Sequence, residues 1–263
     1  MIKRDLKARP IKLYQRHLSL SGLYFFTALR RSFAAIVTKG TIVSLRDNLE
    51  PHNILRITNV LAVDHLSLAG VHAYNIIEKY KTKKTLMPRL SSIIVGGSPV
   101  SQTLRENITE VLNPNLFIGY GTNEFGEAIV LDVSKNPRYI LGSVGRPISG
   151  VDVKIISVHT KNPIEEVGLI YLSSPTIKKM HSDSKFSKQN WQNTGDLGKV
   201  HSNGEIIFLG RSDDLIIFNG INIYPREIES ILENKAGIKE VAAFSIDSEK
   251  NGNIPVACVV ASF

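Results

Sequence analysis

The sequence has little cysteine, no long uninterrupted apolar run and few acidic residues for its size. It contains 263 residues and one cysteine, Cys258, which excludes a disulfide or a cysteine-based metal site within one chain. A reducing compartment, the cytoplasm, is therefore expected. Cys258 lies in an apolar, strand-like run, where a small core residue is expected. The most apolar early run, residues 18–37, contains Arg30 and Arg31, which argues against a transmembrane segment and favours a buried helix.

The shortage of acidic residues gives the chain a formal net charge of +8. Much of it lies in residues 1–16, where six Lys or Arg stand against one Asp. Such a segment is found in targeting sequences and in nucleic-acid-binding arms. No alternation of aromatic and basic residues follows it, as a nucleic-acid surface would favour. We therefore expect a solvated segment and no nucleic-acid partner.

The first half of the chain alternates helical and strand patterns. Apolar spacing predicts a helix over about 20–34, a strand over 41–45, a helix opened by Pro51, a short strand near 62–63 and a helix over 71–80. This alternation indicates an α/β layer with a mainly parallel sheet. The histidines His17, His65 and His72 have no metal-ligand spacing, so core or surface roles are expected for them.

Two glycine-containing segments follow apolar strands. The first is Ile93 to Val95 followed by Gly96 and Gly97, with Ser98 as the predicted N-cap of a helix that contains Pro99. The second strand, 115–118, leads into the segment GYGTNE, residues 119–124. Glycine at the carboxyl end of a parallel strand lets a ligand approach the backbone closely.

Shorter strands follow from residue 142, which favours a small β-barrel or β-layer. Residues 182–193 are polar, and we expect an exposed loop there, held by Trp191. Asn203-Gly204 stands between two half-apolar runs and predicts a hairpin, which places Asp196 and Arg211 at the same end of the pair. A second hairpin, 216–218 with 221–223, a helix opened by Pro225 and two strands over 240–246 and 254–261 complete the chain.

These segments together resemble the adenylate-forming (AMP-binding) superfamily, in its acyl-CoA synthetase-like branch. The resemblance rests on TGDLG, GRSDDLIIFNGINIYPREIE, the GGSP segment and YGTNE, in the family's order. It implies a partial adenylate-forming large domain, an α/β layer plus small β-barrel, followed by a truncated α+β C-terminal lid domain. The boundaries expected are 1–141, 142–212 and 213–263.

The resemblance also implies roles for particular residues. Asp196 and Arg211 would hold the ribose of ATP or AMP, and Asp213 would be the hinge of the lid. Tyr120 would stack on adenine, and Glu124 would help to hold Mg²⁺. The other implied nucleotide-binding residues are Gly97, Ser98, Gly119 and Gly121. Asn123 replaces the family's usual threonine, whose contact is with the α-phosphate.

The implied activity is that of an ATP-dependent acid–thiol ligase, of the kind used in fatty acid metabolism. A small carboxylic acid would become an acyl-adenylate, and the thiol of coenzyme A or of a carrier protein would displace AMP. Two parts of the family's pattern are not found in the sequence: the phosphate loop that ends in lysine, and the lysine near the C-terminus. A single incomplete chain, an N-terminal half as partner or a homodimer is therefore expected, with an exposed apolar face around residues 40–120.

Three other interpretations stay open on the sequence. The chain is also compatible with a non-catalytic nucleotide- or acyl-binding remnant that acts as a partner subunit. It is compatible with part of a peptide-synthetase adenylation domain. A nucleic-acid or membrane-surface protein that uses the basic N-terminal residues is the third.

Overall fold

The computed structural model describes residues 6, 8–9, 11–45, 49–135, 140–157, 167–175, 191–219, 221–248 and 252–261. The chain forms two compact units. The first comprises residues 1–139 and 144–151, and the second comprises residues 140–143 and 152–263. The three-part division expected from the sequence stays a prediction.

The first unit is built on a mixed sheet whose strand order is β2-β1-β3-β4-β5-β6-β7. Strands β1 to β5 pair in parallel, and β6 and β7 join the sheet antiparallel. The carboxyl ends of the five parallel strands therefore lie at one edge of the sheet. The bounds are β1 Arg16–Ser19, β2 Thr41–Val43, β3 His65–Leu68, β4 Ser92–Gly96, β5 Leu116–Thr122, β6 Gly126–Asp132 and β7 Ser143–Pro147.

Helices connect the parallel strands, as the alternating pattern predicts. They are α1 Phe26–Val37, α2 Pro51–Val60, α3 Gly70–Tyr80 and α4 Gln102–Asn107. Pro51 begins α2 at the first helical position, where a missing N–H costs no helical hydrogen bond. The apolar faces of these helices pack with the strands around one core, which includes the fully buried Ile54, Ile76, Ile93 and Leu116.

Three boundary predictions in this unit are wrong. The short strand expected near 62–63 is found instead at His65–Leu68, and residues 61 and 62 form a turn. The first helix begins at Phe26 rather than near residue 20, and Arg16–Ser19 form an unpredicted strand, β1, which pairs on both sides with neighbouring strands. A strand that is hydrogen-bonded on both sides is stabilised by its neighbours. Its own residues therefore need no strong β-propensity, and its mixed composition does not identify it as a strand. Ser101, rather than Ser98, is the N-cap of α4, and its Oγ accepts a hydrogen bond from the N–H of Leu104 at 3.2 Å.

The second unit contains an antiparallel sheet of order β8-β9-β10-β11. Its core includes Tyr171, Leu197 and Ile207. The Asn203-Gly204 turn joins β10 to β11 as predicted, with Gly204 at a φ of 84°. The bounds are β8 Asp152–Ile156, β9 Gly168–Ser173, β10 Trp191–Val200 and β11 Ile206–Arg211. The loop predicted over 182–193 lies mostly outside the described residues; 191–193 belong to β10.

The last part of the second unit is a small sheet of order β13-β12-β15-β14 with one helix. Arg226 fixes the helix by a two-pronged pair with Glu233, at 2.6 and 2.8 Å, and Glu229 accepts the N–H of Ala243 at 3.0 Å. The predicted core position of Cys258 is wrong, because this residue is exposed on β15. The bounds are β12 Ile216–Phe218, β13 Ile221–Ile223, α5 Pro225–Leu232, β14 Ile238–Ser248 and β15 Gly252–Ala261.

Large apolar side chains are exposed in both units. In the range expected from the sequence these include Val60, which is 70% exposed, and Val71. Others lie earlier, on and before α1, and include Tyr24 at 86% and Ile36 at 59%. The run 18–37 is thus only partly the buried helix that was expected. Among the described helices, none is both long and apolar enough to cross a membrane.

Candidate functional site: a carboxylate–guanidinium pair and a glycine-lined sheet edge

The pair Asp196 and Arg211 is formed as the hairpin predicts. The two residues are direct partners in the β10–β11 register, and Nη1 of Arg211 donates to Oδ1 of Asp196 at 3.0 Å. The Asp196 side chain is 10% exposed and that of Arg211 is 50% exposed. The pair therefore joins a nearly buried acceptor to a guanidinium group that solvent and solutes can reach.

The residues before Asp196 hold this pair in place. Nη1 of Arg211 also donates to the carbonyl oxygen of Thr194 at 3.0 Å, and the Thr194 hydroxyl accepts the N–H of Asp196 at 3.1 Å. Gly195 has a φ of 73°, and a Cβ there would lie 2.9 Å from Nη2 of Arg211. Glycine at this position thus makes room for the guanidinium group.

Electrostatics keep Arg211 charged. Its partial burial lowers its pKa, but the hydrogen bond and charge of Asp196, with the charges of Asp213 and Asp214, raise that pKa by more, so the net shift is upward. Asp213, the predicted hinge residue, lies 3.7 Å from Nη2 of Arg211. It belongs to a short turn of 3₁₀ helix after β11, Ser212–Asp214, and its side chain is 82% exposed.

Gly97 and Ser98 lie at the carboxyl end of β4 in the first unit, and both are exposed. Gly97 has a φ of 87°, and a Cβ built there would meet nothing within 4 Å. The backbone conformation at position 97 therefore favours glycine, although the space next to this residue would accommodate a side chain. An open, exposed backbone at this edge of a parallel sheet is suited to the close approach of a ligand.

Gly119 and Gly121 have a different explanation from Gly97. A Cβ on Gly119 would collide with the carboxylate of Glu127, and one on Gly121 would collide with the carbonyl oxygen of Gly126. Packing within the β5–β6 hairpin therefore accounts for both glycines. Their predicted nucleotide contacts stay predictions, and the glycine signal alone does not support them.

The other motif residues lie at the end of β5 and in the turn that follows. Tyr120 is partly buried on β5, whereas Asn123 and Glu124 are exposed in the turn before β6. The hydroxyl of Thr122 accepts the N–H of Phe125 at 3.1 Å, and Phe125 is buried. These contacts fix the turn that presents Asn123 and Glu124 to solvent.

An ion cluster beside this hairpin was not predicted. Glu127 is buried on β6, and its two carboxylate oxygens accept hydrogen bonds from Arg9 and from Arg31, the latter at 2.9 Å. Arg30 donates to the carbonyl oxygen of Glu127 at 3.1 Å. Burial raises the pKa of the Glu127 carboxyl, and the three guanidinium groups lower it by more, so Glu127 stays ionised.

This cluster corrects the interpretation of the basic N-terminal residues. Arg9 is 6% exposed, so at this position the segment is buried and paired rather than solvated. Two signals in the sequence point to the cluster. Glu127 interrupts an apolar strand, and Arg30-Arg31 interrupts an apolar helix. Because buried charges require partners, these residues are candidates to pair with one another.

Two of the histidines form a buried pair. His17 on β1 and His65 on β3 are partners in the parallel register, and their ring centroids lie 4.7 Å apart. His65 is bonded through Nδ1 to Ser92 and through Nε2 to Gln15, both at 2.7 Å. Burial is the main cause that lowers the pKa of His17 to about 4 and that of His65 to about 3. Both rings are therefore neutral near pH 7.

Glu124 has the chemistry of a magnesium ligand but no cluster around it. Within the described ranges, no group of three or more His, Cys, Asp or Glu residues is placed to hold a metal ion. Mg²⁺ is commonly held in enzymes by one or two carboxylates together with substrate phosphates and water. A single exposed carboxylate fits that mode of binding and does not fit a metal site made by protein ligands alone.

Open α/β sheets commonly bind ligands outside the carboxyl ends of their strands. In this chain that edge of the sheet has the open Gly97, and the β10–β11 hairpin carries the Asp196–Arg211 pair. Residues 3–180 match the family described as AMP-binding enzyme. The chain belongs to this family.

Curated relatives agree with the family match. The chain is 31% identical to a 2-succinylbenzoate--CoA ligase of Oceanobacillus iheyensis, over 65% of this chain and 36% of that protein. It is 27% identical to the putative acyl--CoA ligase YdaB of Bacillus subtilis, over 93% of this chain and 50% of that protein. The chain thus spans about a third to a half of the length of these relatives.

Solved structures share the fold. An o-succinylbenzoate CoA synthetase (MenE) from Bacillus subtilis, in complex with an acyl-adenylate intermediate, superposes with a TM-score of 0.83 at 26% identity; the match covers 100% of this chain and 54% of that one. The amide bond synthetase McbA from Marinactinospora thermotolerans has a TM-score of 0.87 at 22% identity, over 100% of this chain and 55% of that one. The expected α/β class and adenylate-forming architecture are confirmed.

Proposed function

We propose that this chain is the nucleotide-binding part of an ATP-dependent acid–thiol ligase, which activates a carboxylic acid as an acyl-adenylate. The observation that carries the proposal is the Asp196–Arg211 pair, formed in register at 3.0 Å on the hairpin where the family binds ribose. The carboxylate of Asp196 would accept hydrogen bonds from the ribose hydroxyls. The guanidinium group of Arg211, half exposed and already oriented, would donate to the same hydroxyls.

The first unit would supply the adenine and phosphate contacts. Gly97 and Ser98 would let the nucleotide approach the exposed backbone after β4, and Tyr120 would stack on the adenine ring. Asn123 would donate a side-chain hydrogen bond to a phosphate oxygen, in place of the family's threonine. Gly119 and Gly121 would contribute indirectly, by keeping the hairpin under Tyr120 tightly packed.

Glu124 would provide one carboxylate oxygen to Mg²⁺, with substrate phosphates completing the coordination. The ion would neutralise charge on the phosphates while the carboxylate of the acid attacks the α-phosphate and pyrophosphate leaves. Asp213 would act as the hinge, since it begins the segment between β11 and the last sheet and is exposed on a short turn. The second substrate would be a thiol, with coenzyme A favoured over a carrier protein by the ligases to which the chain is similar.

A binding function without turnover is the second candidate. Asn123 in place of the threonine favours it, because asparagine has a different shape and positions a phosphate oxygen differently. The two candidates give different results in one assay. Purified chain, ATP, Mg²⁺ and a panel of carboxylic acids are incubated with hydroxylamine, which traps acyl-adenylate as a hydroxamate. The assay is repeated with any N-terminal half or second copy supplied as partner.

Acid-dependent hydroxamate formation, lost in Glu124→Gln and kept in an exposed control such as Glu106→Gln, supports the ligase. Binding of AMP with no hydroxamate under any pairing supports the non-catalytic binding module instead, as a remnant or a partner subunit. Transfer of the acyl group to a carrier protein but not to coenzyme A would favour the peptide-synthetase type of adenylation domain.

A further inference from the structure

The amino ends of the neighbouring parallel strands β2, β1, β3 and β4 form a basic surface on the first unit. This surface lies at the edge of the sheet opposite to the carboxyl edge that has Gly97. At β5 the same edge carries the acidic Glu110 and Asp132, which limits the basic surface to four strands. The amino-edge surface, as we call it, consists of residues 11–16, 36–40, 59–64 and 78–91.

Hydrogen bonds join these segments into one continuous surface. They connect the loops before β1 and β2, connect β1 to the loop before β3, and connect the end of α2 to the loop before β4. Four strands at a spacing of about 4.8 Å give the surface a width of about 14 Å. The bonds run from the N–H of Tyr14 to the carbonyl oxygen of Thr38 at 2.9 Å, from Nη1 of Arg16 to that of Leu61, and from Nδ2 of Asn59 to that of Leu86 at 3.0 Å.

The charge of the amino-edge surface is strongly positive. Its segments have eight Lys or Arg and two acidic residues. Both acidic residues already have partners, since Asp64 accepts the N–H of Arg16 at 2.8 Å and Glu78 lies 3.8 Å from Lys81. The exposed cations are Lys12, Arg16, Lys39, Lys79, Lys81, Lys83, Lys84 and Arg89. A surface of this kind attracts a partner with many negative charges.

Helix dipoles account for only some of these cations. The helices α1, α2 and α3 all end at this edge, and the C-terminus of a helix favours a nearby cation. Lys39 and Lys81 lie within two residues of such a helix end. Lys12, Lys84 and Arg89 lie in the loops that lead into β1 and β4 and belong to no helix end. These three cations therefore need another explanation.

Apolar side chains protrude from the same surface. Leu13, Tyr14, Val37 and Val60 are 58%, 68%, 57% and 70% exposed, and Leu61 is exposed as well. Single exposed apolar residues are common on proteins, but a group of them within one charged surface indicates an interaction site. The partner therefore offers both negative charge and an apolar environment.

The loop that carries Leu13 and Tyr14 is held in an unusual backbone conformation. Tyr14 has a φ of 62°, in a region that glycine and asparagine adopt more readily than bulky residues. Gln15 fixes the loop, because its Oε1 accepts the N–H of Lys12 at 2.6 Å and its Nε2 donates to Oγ of Ser91 at 3.3 Å. A large aromatic side chain at a strained and exposed position points to a role for that side chain.

A lipid bilayer fits this surface better than nucleic acid or a second copy of the chain. Surfaces for single-stranded nucleic acid combine cations with aromatic rings that stack on bases. Here the exposed apolar side chains of the described segments are aliphatic except for Tyr14. A second copy would bring like charges together. Aliphatic side chains among lysines match a bilayer interface, where apolar groups enter the head-group region and cations meet anionic lipids.

We propose that the amino-edge surface docks the chain reversibly on membranes that contain anionic lipids. Leu13 and Tyr14 enter the head-group region, and the lysines of the loop before β4 lie over the anionic head groups. The carboxyl edge of the sheet, with Gly97, then faces away from the bilayer and stays open to ligands. This docking does not depend on the proposed function.

Cosedimentation of the full chain with lipid vesicles tests the electrostatic part. The vesicles are phosphatidylcholine alone or phosphatidylcholine with about one-quarter phosphatidylserine. We expect the anionic vesicles to bind about tenfold or more tightly than the neutral ones, with an affinity that falls as salt is added. We expect Lys83→Glu combined with Lys84→Glu to weaken binding to the anionic vesicles by about tenfold or more.

The matched control is Lys199→Glu combined with Lys235→Glu. Both lysines are exposed and belong to the second unit, so this variant has the same change in net charge at a different place. We expect it to bind the anionic vesicles within about twofold of the native chain. Circular dichroism and thermal unfolding verify that each variant is folded.

The apolar part is measured with Leu13→Ser and Tyr14→Asn. Asparagine tolerates a positive φ, so the loop keeps its conformation in the second variant. We expect each variant to bind the anionic vesicles about threefold or more weakly, because it removes apolar area from the bilayer interface. Val200→Ser, at an exposed aliphatic position of the second unit, is the control and is expected to bind as the native chain does.

Equal binding to neutral and anionic vesicles, or unchanged binding in the lysine variant or in both apolar variants, would overturn the proposal. The chain is also titrated with single-stranded RNA and followed by fluorescence anisotropy. Binding of RNA that is lost in the Lys83→Glu and Lys84→Glu variant, with no binding to anionic vesicles, would likewise overturn the proposal and would assign the surface to nucleic acid.

Discussion

Arg211 and Asp196 face each other across β10 and β11, with 3.0 Å between Nη1 and Oδ1. The same Nη1 donates to the carbonyl oxygen of Thr194, so the guanidinium group is fixed by two acceptors from one strand. Gly195, between those acceptors, leaves the space that the guanidinium group occupies. Because this pair is already ordered, little conformational entropy is lost when a ligand binds to it, and the affinity for the ligand is higher.

Replacement of Glu127 by Gln is expected to destabilise the chain strongly. The buried guanidinium group of Arg9 and the partly buried one of Arg31 then lose their common carboxylate. Removing one partner of a buried ion pair typically costs about 3–5 kcal/mol. Urea unfolding followed by circular dichroism measures this change. Asp132→Asn, which removes a pair with the exposed Lys135, is the control and is expected to cost much less, because solvent screens the exposed ammonium group.

Alanine is expected to act differently at Gly97 and at Gly119. At Gly97 the added Cβ meets nothing, so only the positive φ is penalised, at about 1–2 kcal/mol, and AMP affinity falls. At Gly119 the Cβ displaces the Glu127 carboxylate, which two arginines hold, and overpacking of this kind costs about 1–3 kcal/mol.

A double-mutant cycle tests the explanation for Gly119. In the background of Glu127→Ala the collision is absent, so Gly119→Ala is expected to cost much less there than in the native chain. Additive costs, measured by urea unfolding, would show that Gly119 is needed for a reason other than room for Glu127.

The stability of the chain is expected to fall in mild acid because of His17 and His65. Their folded-state pKa values, about 4 and about 3, lie below the ordinary value of 6.5. The unfolded chain therefore binds more protons, and stability that is fully present above pH 6.5 is lost as the pH falls towards those values. The loss by pH 4 is on the order of 3 kcal/mol for each of the two histidines.

The histidine contribution is isolated by substitution. His17→Gln is expected to flatten the decline of unfolding free energy between pH 6.5 and 4, whereas His52→Gln, at an exposed position, is expected to leave it unchanged. Identical pH profiles for His17→Gln and the native chain would contradict the assignment.

Local signals in the sequence were sufficient for much of the fold. Asn203-Gly204 predicts the β10–β11 hairpin because few dipeptides tolerate its backbone conformation, and Pro225 predicts the start of α5 because its ring fixes φ. The turn brings Asp196 and Arg211 to the same end of the hairpin, but their direct pairing depends on a register shift between Leu197 and Gly198, which the sequence did not predict. These features depend on residues close together in the chain, so a single sequence contains the information.

Features that depend on distant residues could not be predicted in the same way. The strand β1 is defined by pairing with β2 and β3, and its four residues have no strong pattern of their own. Glu127 meets Arg9 across 118 positions, and nothing local identifies the partner. Cys258 was expected in the core because its neighbours are apolar, yet on β15 apolar residues are exposed as well.

The central claim is that Asp196 and Arg211 bind the ribose of an adenine nucleotide. Calorimetric titration of AMP with Mg²⁺ into the folded chain, into Arg211→Ala and into the control Lys199→Ala tests it most directly, because Lys199 is an exposed cation of the same hairpin. We predict saturable binding to the native chain and to Lys199→Ala, weakened by about tenfold or more in Arg211→Ala. Equal binding to all three chains, or no binding to the folded native chain, would contradict the claim.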